Sequence, residues 1–472
     1  MSFTLSDLRK WEKQKDIGKF QQILKYLDTD DYAPARILAV KALDRIHDTQ
    51  TIETLLTAAS DPIHEVRSAS MRILSRWVKQ DLEPFCQVIE TETLTRQNRR
   101  VLTKMLVGLR SDRATESLMC LLQKGRCVEV IQKSVEACKA VEPFLPYAQS
   151  NDPVVRYAAI LAVSLVVRNR QVHQVYTAAL TDDDVQVRVL AQSSLSDEIY
   201  GITSDRKTNV RLKDYPGVID ALIANLGHED FMVRGMAAYA LGTFRARSTI
   251  GLLIPLLNDS SIVVRRTTVF ALTRMPDQRA FIPLTELYRS EEDHSFLKHI
   301  VDAVTPIKHS GVFPFLKEVI ESKKSRLARI QAIIGISRFD TPETLEILEK
   351  VTHETDMECV EYALESMQQL SDPRRIGIMH EVINDESKTI FYSTVVHFAE
   401  TLDKDNALQI LACFLGRQIE DRYLQRTVNV INHIIAPQTL EEALAAMPNT
   451  GGTFYLNGLA KLKAYPESEK DS

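Results

Sequence analysis

The sequence lacks every short motif by which an enzyme or nucleotide-binding chain usually declares itself. It holds no Gly-x-x-x-x-Gly-Lys-Ser/Thr, no Gly-x-Gly-x-x-Gly, no Gly-x-Ser-x-Gly and no His-Glu-x-x-His. The phosphate cradles, nucleophile elbows and zinc sites that those spacings build are therefore not expected. No run of eighteen apolar residues is present to make a membrane span. Cysteine is sparse, and Cys86, Cys120, Cys127, Cys138, Cys359 and Cys413 include no Cys-x-x-Cys pair. Scattered over apolar helix faces, they read as reduced core residues rather than disulfides or metal ligands, which favours a reducing compartment. The start, MSFTLSDLRKWEKQKD, is a polar amphipathic helix rather than a signal peptide. These absences describe a cytoplasmic, non-catalytic chain with no cofactor and no metal.

What is abundant is repetition. The stretch HEDFMVRGMAAYALGTF, His228 to Phe244, joins a short acidic turn to a helix whose Ala237, Ala238 and Ala240 admit a close neighbour while Val233 and Leu241 supply an apolar stripe. Similar stretches surround Arg36, Arg67, Arg156, Arg188 and Arg265, with steps of 31 residues from Arg36 to Arg67 and from Arg234 to Arg265. Degenerate copies continue the beat near Arg99, Val130, Lys298, Arg329, Val360, Phe391 and Leu424. About fourteen first helices align against these markers, opening at Ile17, Thr49, Asp81, Asp112, Val141, Arg170, Gly217, Ser248, Asp277, Gly311, Thr341, Pro373, Lys404 and Pro437. An aspartate stands six residues before the arginine at Asp30, Asp61, Asp182 and Asp259, whereas His228 and Ser150 occupy that place before Arg234 and Arg156. Such a carboxylate can accept from the guanidinium fork and cap the amides opening the second helix.

This combination of aspartate turn, valine-arginine and small-residue helix resembles the HEAT repeat family, including its phycobilisome lyase-like branch. The resemblance implies an all-α, right-handed α-solenoid of about 13–14 helical hairpins, with turn aspartates and helix arginines laddered between repeats. The expected organisation is a capping helix at 1–16 carrying Trp11, a solenoid at 17–447, and a closing helix with a disordered tail at 448–472. The rhythm breaks once, between Arg188 and Arg234, where DEIYGITSDRKTNVRLKDYP at 197–216 shows no helical period. Ile199–Thr203 and Asn209–Tyr215 are expected to pair there as a hairpin whose tip carries Arg206, Lys207, Arg211 and Lys213. The repeat holding Val130 is short and poorly matched, and is expected to bend the stack locally.

Enzymes built on this repeat were compared by their site residues. Deoxyhypusine hydroxylase resembles the chain in its His-Glu pairs, but here His64-Glu65, His228-Glu229, His353-Glu354 and His380-Glu381 fall outside the start of the second helix that the resemblance requires. HEAT-like alkylpurine glycosylases use aromatic clefts, and only Trp11 and Trp77 offer an indole. A lyase, glycosylase or hydroxylase is therefore the third reading.

The leading reading is a protein-protein interaction scaffold or adaptor. Its partner is another protein or a peptide, held on the inner face and by the 197–216 insertion. Counting one, five and nine residues past each marker arginine gives Ser68, Arg72 and Arg76; Tyr157 and Leu161; Gly235, Tyr239 and Thr243; and Arg266, Phe270 and Arg274. This row of aromatics flanked by arginines suits an anionic or amphipathic peptide. The second reading is nucleic-acid binding. Up to Met275 there are 37 Lys and Arg against 32 Asp and Glu, and Arg96, Arg99, Arg100 and Lys104 cluster within about two helical turns.

Overall fold

The computed structural model describes residues 33–464 apart from 47–48, 92–93, 167–168, 205–216, 389–391, 418–421, 437–439 and 448–451. Two compact units divide the chain at Met1–Ala246 and Arg247–Ser472. Each is a stack of antiparallel helical hairpins, and no strand occurs among the described residues.

In the first unit the helices are α1 (Ala33–Leu43), α2 (Thr49–Ala58), α3 (His64–Gln80), α4 (Glu83–Glu90), α5 (Arg96–Leu109), α6 (Asp112–Gln123), α7 (Val128–Cys138), α8 (Pro153–Val163), α9 (Arg170–Ala179), α10 (Val185–Ser204), α11 (Val218–Asn225) and α12 (Phe231–Thr243). The second unit holds α13 (Ile250–Leu253), α14 (Ile262–Arg274), α15 (Phe281–Ser290), α16 (His294–Val304), α17 (Val312–Ser322), α18 (Arg326–Ile336), α19 (Pro342–Thr352), α20 (Met357–Met367), α21 (Arg374–Asn384), α22 (Tyr392–Ala399), α23 (Lys404–Gly416), α24 (Arg422–Ile435), α25 (Leu440–Ala446) and α26 (Thr453–Lys463). Every marker from Arg36 to Leu424 lies on a second helix except Phe391, which falls outside the described residues with Trp11 and the opening at Ile17.

The apolar stripes drive the stacking. On α12, Val233, Ala237, Ala238, Ala240 and Leu241 are all fully buried. Second helices pack on second helices, from α14 through α16 and α18 to α20, whereas the first helices α17 and α19 barely meet. Two first helices are tightened into 3-10 form, at Glu142–Gln149 and Ile254–Asn258. Pro146 in one and Pro255 in the other lack the amide that an α-helical bond requires.

The ladder between repeats exists, with a different wiring. Arg67, Arg156, Arg234 and Arg265 donate to backbone carbonyls five and six residues earlier, as Arg67 does to Pro62 and Asp61, both at 2.6 Å, and Arg234 to Glu229 and His228, both at 2.7 Å. Because a carbonyl serves, histidine or serine at the sixth position costs nothing. The aspartate carboxylate reaches back instead to the arginine of the preceding repeat. Arg36 pairs with Asp61, and Arg156 holds Asp182 through two bonds of 2.7 Å. Asp61 also accepts from the Ile63 amide at 2.9 Å, and Asp182 from the Asp184 amide at 2.9 Å, so one carboxylate joins two repeats and shapes a turn. Asp152 and Asp230 are helix caps, accepting from Val154 and from Met232 and Val233. In the second unit Glu291 and Glu354 take the carboxylate's place, opposite Arg265 at 2.9 Å and Arg329 at 2.6 Å.

The expected strand Ile199–Thr203 is instead the end of α10. Val187, Ala191 and Leu195 bury one helical face up to that point, and continuing an existing helix prevails over local β preference. The other expected strand and the four cations at its tip lie outside the described residues.

Candidate partner-binding surface

The residue before most marker arginines is locked in the core, as Val66, Val187, Val233 and Val264 show. Helical geometry then turns the two residues before it outward. In the first unit these are Val154 on α8, 54% exposed, and Phe231 and Met232 on α12, 42% and 37% exposed. Between them α10 packs against both helices and presents Gln186. Tyr157 is half-buried and lines a shallow cavity of about 250 Å³ with Pro153, Val154, Asp184 and Gln186. Tyr239 is half-buried on α12. Gly235 and Thr243 are buried, the Thr243 hydroxyl being bonded to the Tyr239 carbonyl at 3.0 Å.

The arginines of the expected row are spoken for locally. Arg72 is exposed and donates to the Ser68 carbonyl at 3.3 Å. Arg76 pairs with Asp44, which also accepts from the Trp77 indole at 3.0 Å. In the second unit Arg266 donates to Asp293 at 2.6 Å and lies over the Phe296 ring at 5.5 Å. Arg274 sits 5.5 Å from the centre of the half-buried Phe270 ring. Ile262 and Val263 on α14 and Leu327 on α18 repeat the exposed apolar position. The sequence carried this signal in NDPVVR, HEDFMVR and SSIVVR, where an aliphatic or aromatic residue stands two or three places before the arginine.

Groups that catalysis would call on are engaged otherwise. Burial pushes the Cys359 and Cys413 thiols up to about 11, away from nucleophilic reactivity. Of the His-Glu pairs, Glu354 belongs to the ladder and His380 is half-buried beside Cys413. Trp77 is buried. Among the described residues no group of three or more His, Cys, Asp and Glu is placed to hold a metal, and no helix is long and apolar enough to cross a membrane.

Residues 219–305, from α11 to α16, match the HEAT-repeat family. That segment is built of HEAT repeats. No curated protein matches it. Among solved structures it is similar to Kap95p with RanGDP, at 14% identity over 94% of this chain and 66% of that one, TM-score 0.51. Yeast importin-beta (Kap95p) aligns at 14% identity over 96% of this chain and 67% of that one, TM-score 0.49. The CpcE–CpcF complex of phycocyanin lyase from Nostoc sp. PCC7120 aligns at 19% identity over 56% of this chain and 94% of that one, TM-score 0.32. At these identities the likeness is one of fold, the stacked helical hairpin.

Proposed function

We propose that this protein is a non-catalytic scaffold that binds another protein, through a helix or peptide laid across the second helices α8, α10 and α12. The observation that carries the reading is the recurrence of exposed apolar side chains at one repeat position, Val154 on α8 and Phe231 and Met232 on α12. A solvated position would not keep valine, phenylalanine and methionine there, and apolar side chains beside tyrosine are what an amphipathic helix needs for anchoring. Kap95p, of similar fold, binds the protein RanGDP.

The test is photo-crosslinking from positions 154 and 239 in an extract of the native organism, followed by reconstitution with the purified crosslinked protein. Val154→Asp with Phe231→Asp is expected to weaken binding at least about tenfold, or roughly 1.4 kcal/mol. Leu252→Asp, on an exposed site of the second unit, should not. Undiminished affinity in the double variant, with an unchanged helical circular dichroism spectrum, would discard the surface.

A further inference from the structure

α5 and α7 are successive second helices of the first unit and leave a cavity of about 660 Å³ between them. The chain enters α7 through Gly125 and Cys127, both at positive φ (65° and 56°), and leaves it through Lys139 at 48°. These sharp turns at both ends fix α7 opposite α5.

The lining is strongly basic. Arg96, Arg99, Arg100 and Lys104 come from α5, Lys133 from α7 and Arg126 from the turn before it. Among the described residues of the lining one carboxylate stands against these six cations, Glu129, bonded to Lys133 at 2.6 Å. That bond, with Arg100 and Arg96 nearby, holds Glu129 below the usual carboxylate range. Arg99 reaches the Thr91 carbonyl at 3.3 Å through one terminal nitrogen, but its Nε is buried without a hydrogen-bond partner among the described residues. An orphaned donor in the wall of a basic cavity is a group that a ligand would satisfy. A solvated helix face would instead spread its charges into water and leave no concave volume between two helices.

We propose that this cavity binds a small ligand carrying two or more phosphate groups. Four of the six cations are arginines, whose planar fork matches phosphate oxygens in pairs, and so many cations on one cavity call for a ligand of several negative charges rather than a single carboxylate. The volume falls within the range of about 300–1,000 Å³ usual for small-molecule sites. Val128, Val130 and Ala137 give it an apolar wall for the uncharged part of such a molecule. The cations converge on one cavity rather than forming the extended stripe that tracks a nucleic-acid backbone.

The site is tested by calorimetric titration of the full chain with sodium tripolyphosphate at low salt, without magnesium. One site per chain is expected, weakening as salt rises. Bound tripolyphosphate should slow alkylation of Cys127 and Cys138, which line the cavity, and leave Cys120, outside it, unchanged. Arg100→Glu with Lys104→Glu, both exposed, should reduce affinity at least about tenfold, while Lys41→Glu with Lys79→Glu, equal in charge and elsewhere, should not. Should the first pair perturb the circular dichroism spectrum, Arg100→Gln with Lys104→Gln replaces it, and thiol protection in the unaltered chain is read independently. Absence of both heat and thiol protection at about 1 mM ligand, far weaker than a specific site, would overturn the proposal. So would full affinity in the folded variants. Tighter binding of a twelve-base-pair DNA or an oligoglutamate peptide than of tripolyphosphate would also overturn it, in favour of nucleic acid or an acidic protein.

Discussion

At the steps from α14 to α16 and from α18 to α20 neighbouring hairpins are joined by a guanidinium fork set on a carboxylate, whereas α23 and α26 are joined by bare backbone. In the first stretch Arg265 meets Glu291 and Arg329 meets Glu354, each carboxylate 25 or 26 residues beyond its arginine. In the second, a Cβ added at Gly416 would fall 1.7 Å from the Phe454 carbonyl oxygen, and one at Gly458 would fall 1.7 Å from that of Ala412. The difference is one of tolerance. A fork reaches aspartate or glutamate across a turn, so its sequence can drift while the joint persists. Two backbones in van der Waals contact admit no side chain at all. α23 accordingly is buried almost all round, from Ala407 to Gly416, as a helix enclosed by neighbours must be.

The glycine joint should break most severely. Gly416→Ala or Gly458→Ala is expected to cost about 3 kcal/mol, because the helices must separate to admit the methyl group. The sign is diagnostic, since alanine in a helix interior would otherwise gain about 1 kcal/mol over glycine. Gly377→Ala on α21, where nothing lies within 4 Å, should show that gain. Native-state hydrogen exchange of the α23 and α21 amides reads the two local free energies separately. Stabilisation of α23 by Gly416→Ala would mean that the backbones are not in contact.

Removing a fork should cost less. Arg329 is 4% exposed, holds both Glu354 oxygens at 2.6 and 2.7 Å, and donates through Nε to the Ile320 carbonyl at 2.7 Å. Arg329→Ala leaves the half-buried Glu354 carboxylate with only Lys323 at 3.3 Å and takes the Nε donor from the Ile320 carbonyl, at about 2–3 kcal/mol. Arg329→Lys should recover only part of this, because an ammonium cannot reproduce the planar fork. Arg289→Ala, which breaks the exposed pair with Glu318 at 2.7 Å, should cost under about 1 kcal/mol. Equal losses at Arg329 and Arg289, by exchange in α18 and α15, would remove the distinction between ladder and surface pair.

The sequence spoke most clearly where spacing alone carries the information. Thr49, Asp112, Arg170 and Lys404 open their first helices at the expected residue, because repeat length and turn residues are local properties. The wiring of the ladder was less legible. Asp61 precedes Arg67 by six residues in sequence, but its carboxylate serves Arg36, and only the stacking of hairpins brings these two together. Glu291 and Glu354 were missed because glutamate in a degenerate turn carries no marker. The cluster Arg96, Arg99, Arg100 and Lys104 was visible as charge, but Lys133 and Arg126 join it only through the placement of α7. Of the expected partner-binding row, Tyr157 is half-buried beside Val154 and Tyr239 is half-buried on α12, while Arg266 is drawn to Asp293, a neighbour one repeat on.

Acid should separate the two kinds of joint by where each begins to fail, with the smallest effect of those considered. In the ladder, burial works against the charge of Asp182 and Glu291, yet their arginine forks and turn amides hold both carboxyls below the usual range. Glu354 is lowered chiefly by its bond to Arg329. Groups depressed in the folded state bind protons more readily when unfolded. Their contribution is therefore complete above the unfolded carboxylate values of about 4 and is lost as pH falls through the folded ones. On the α21 side of α23, the helix that also carries the backbone joint, His380 lies 3.6 Å from Cys413, and burial lowers its pKa. A depressed histidine follows the same sign from a higher start: stability begins to fall as pH drops below the unfolded value of about 6.5. Exchange of α21 and α23 amides should thus quicken between about pH 6.5 and 5, while α18 and α20 stay protected until about pH 4. His380→Gln should abolish the first loss without moving the second. Simultaneous loss of protection in all four helices would mean that the fork and the backbone joint unfold as one cooperative element.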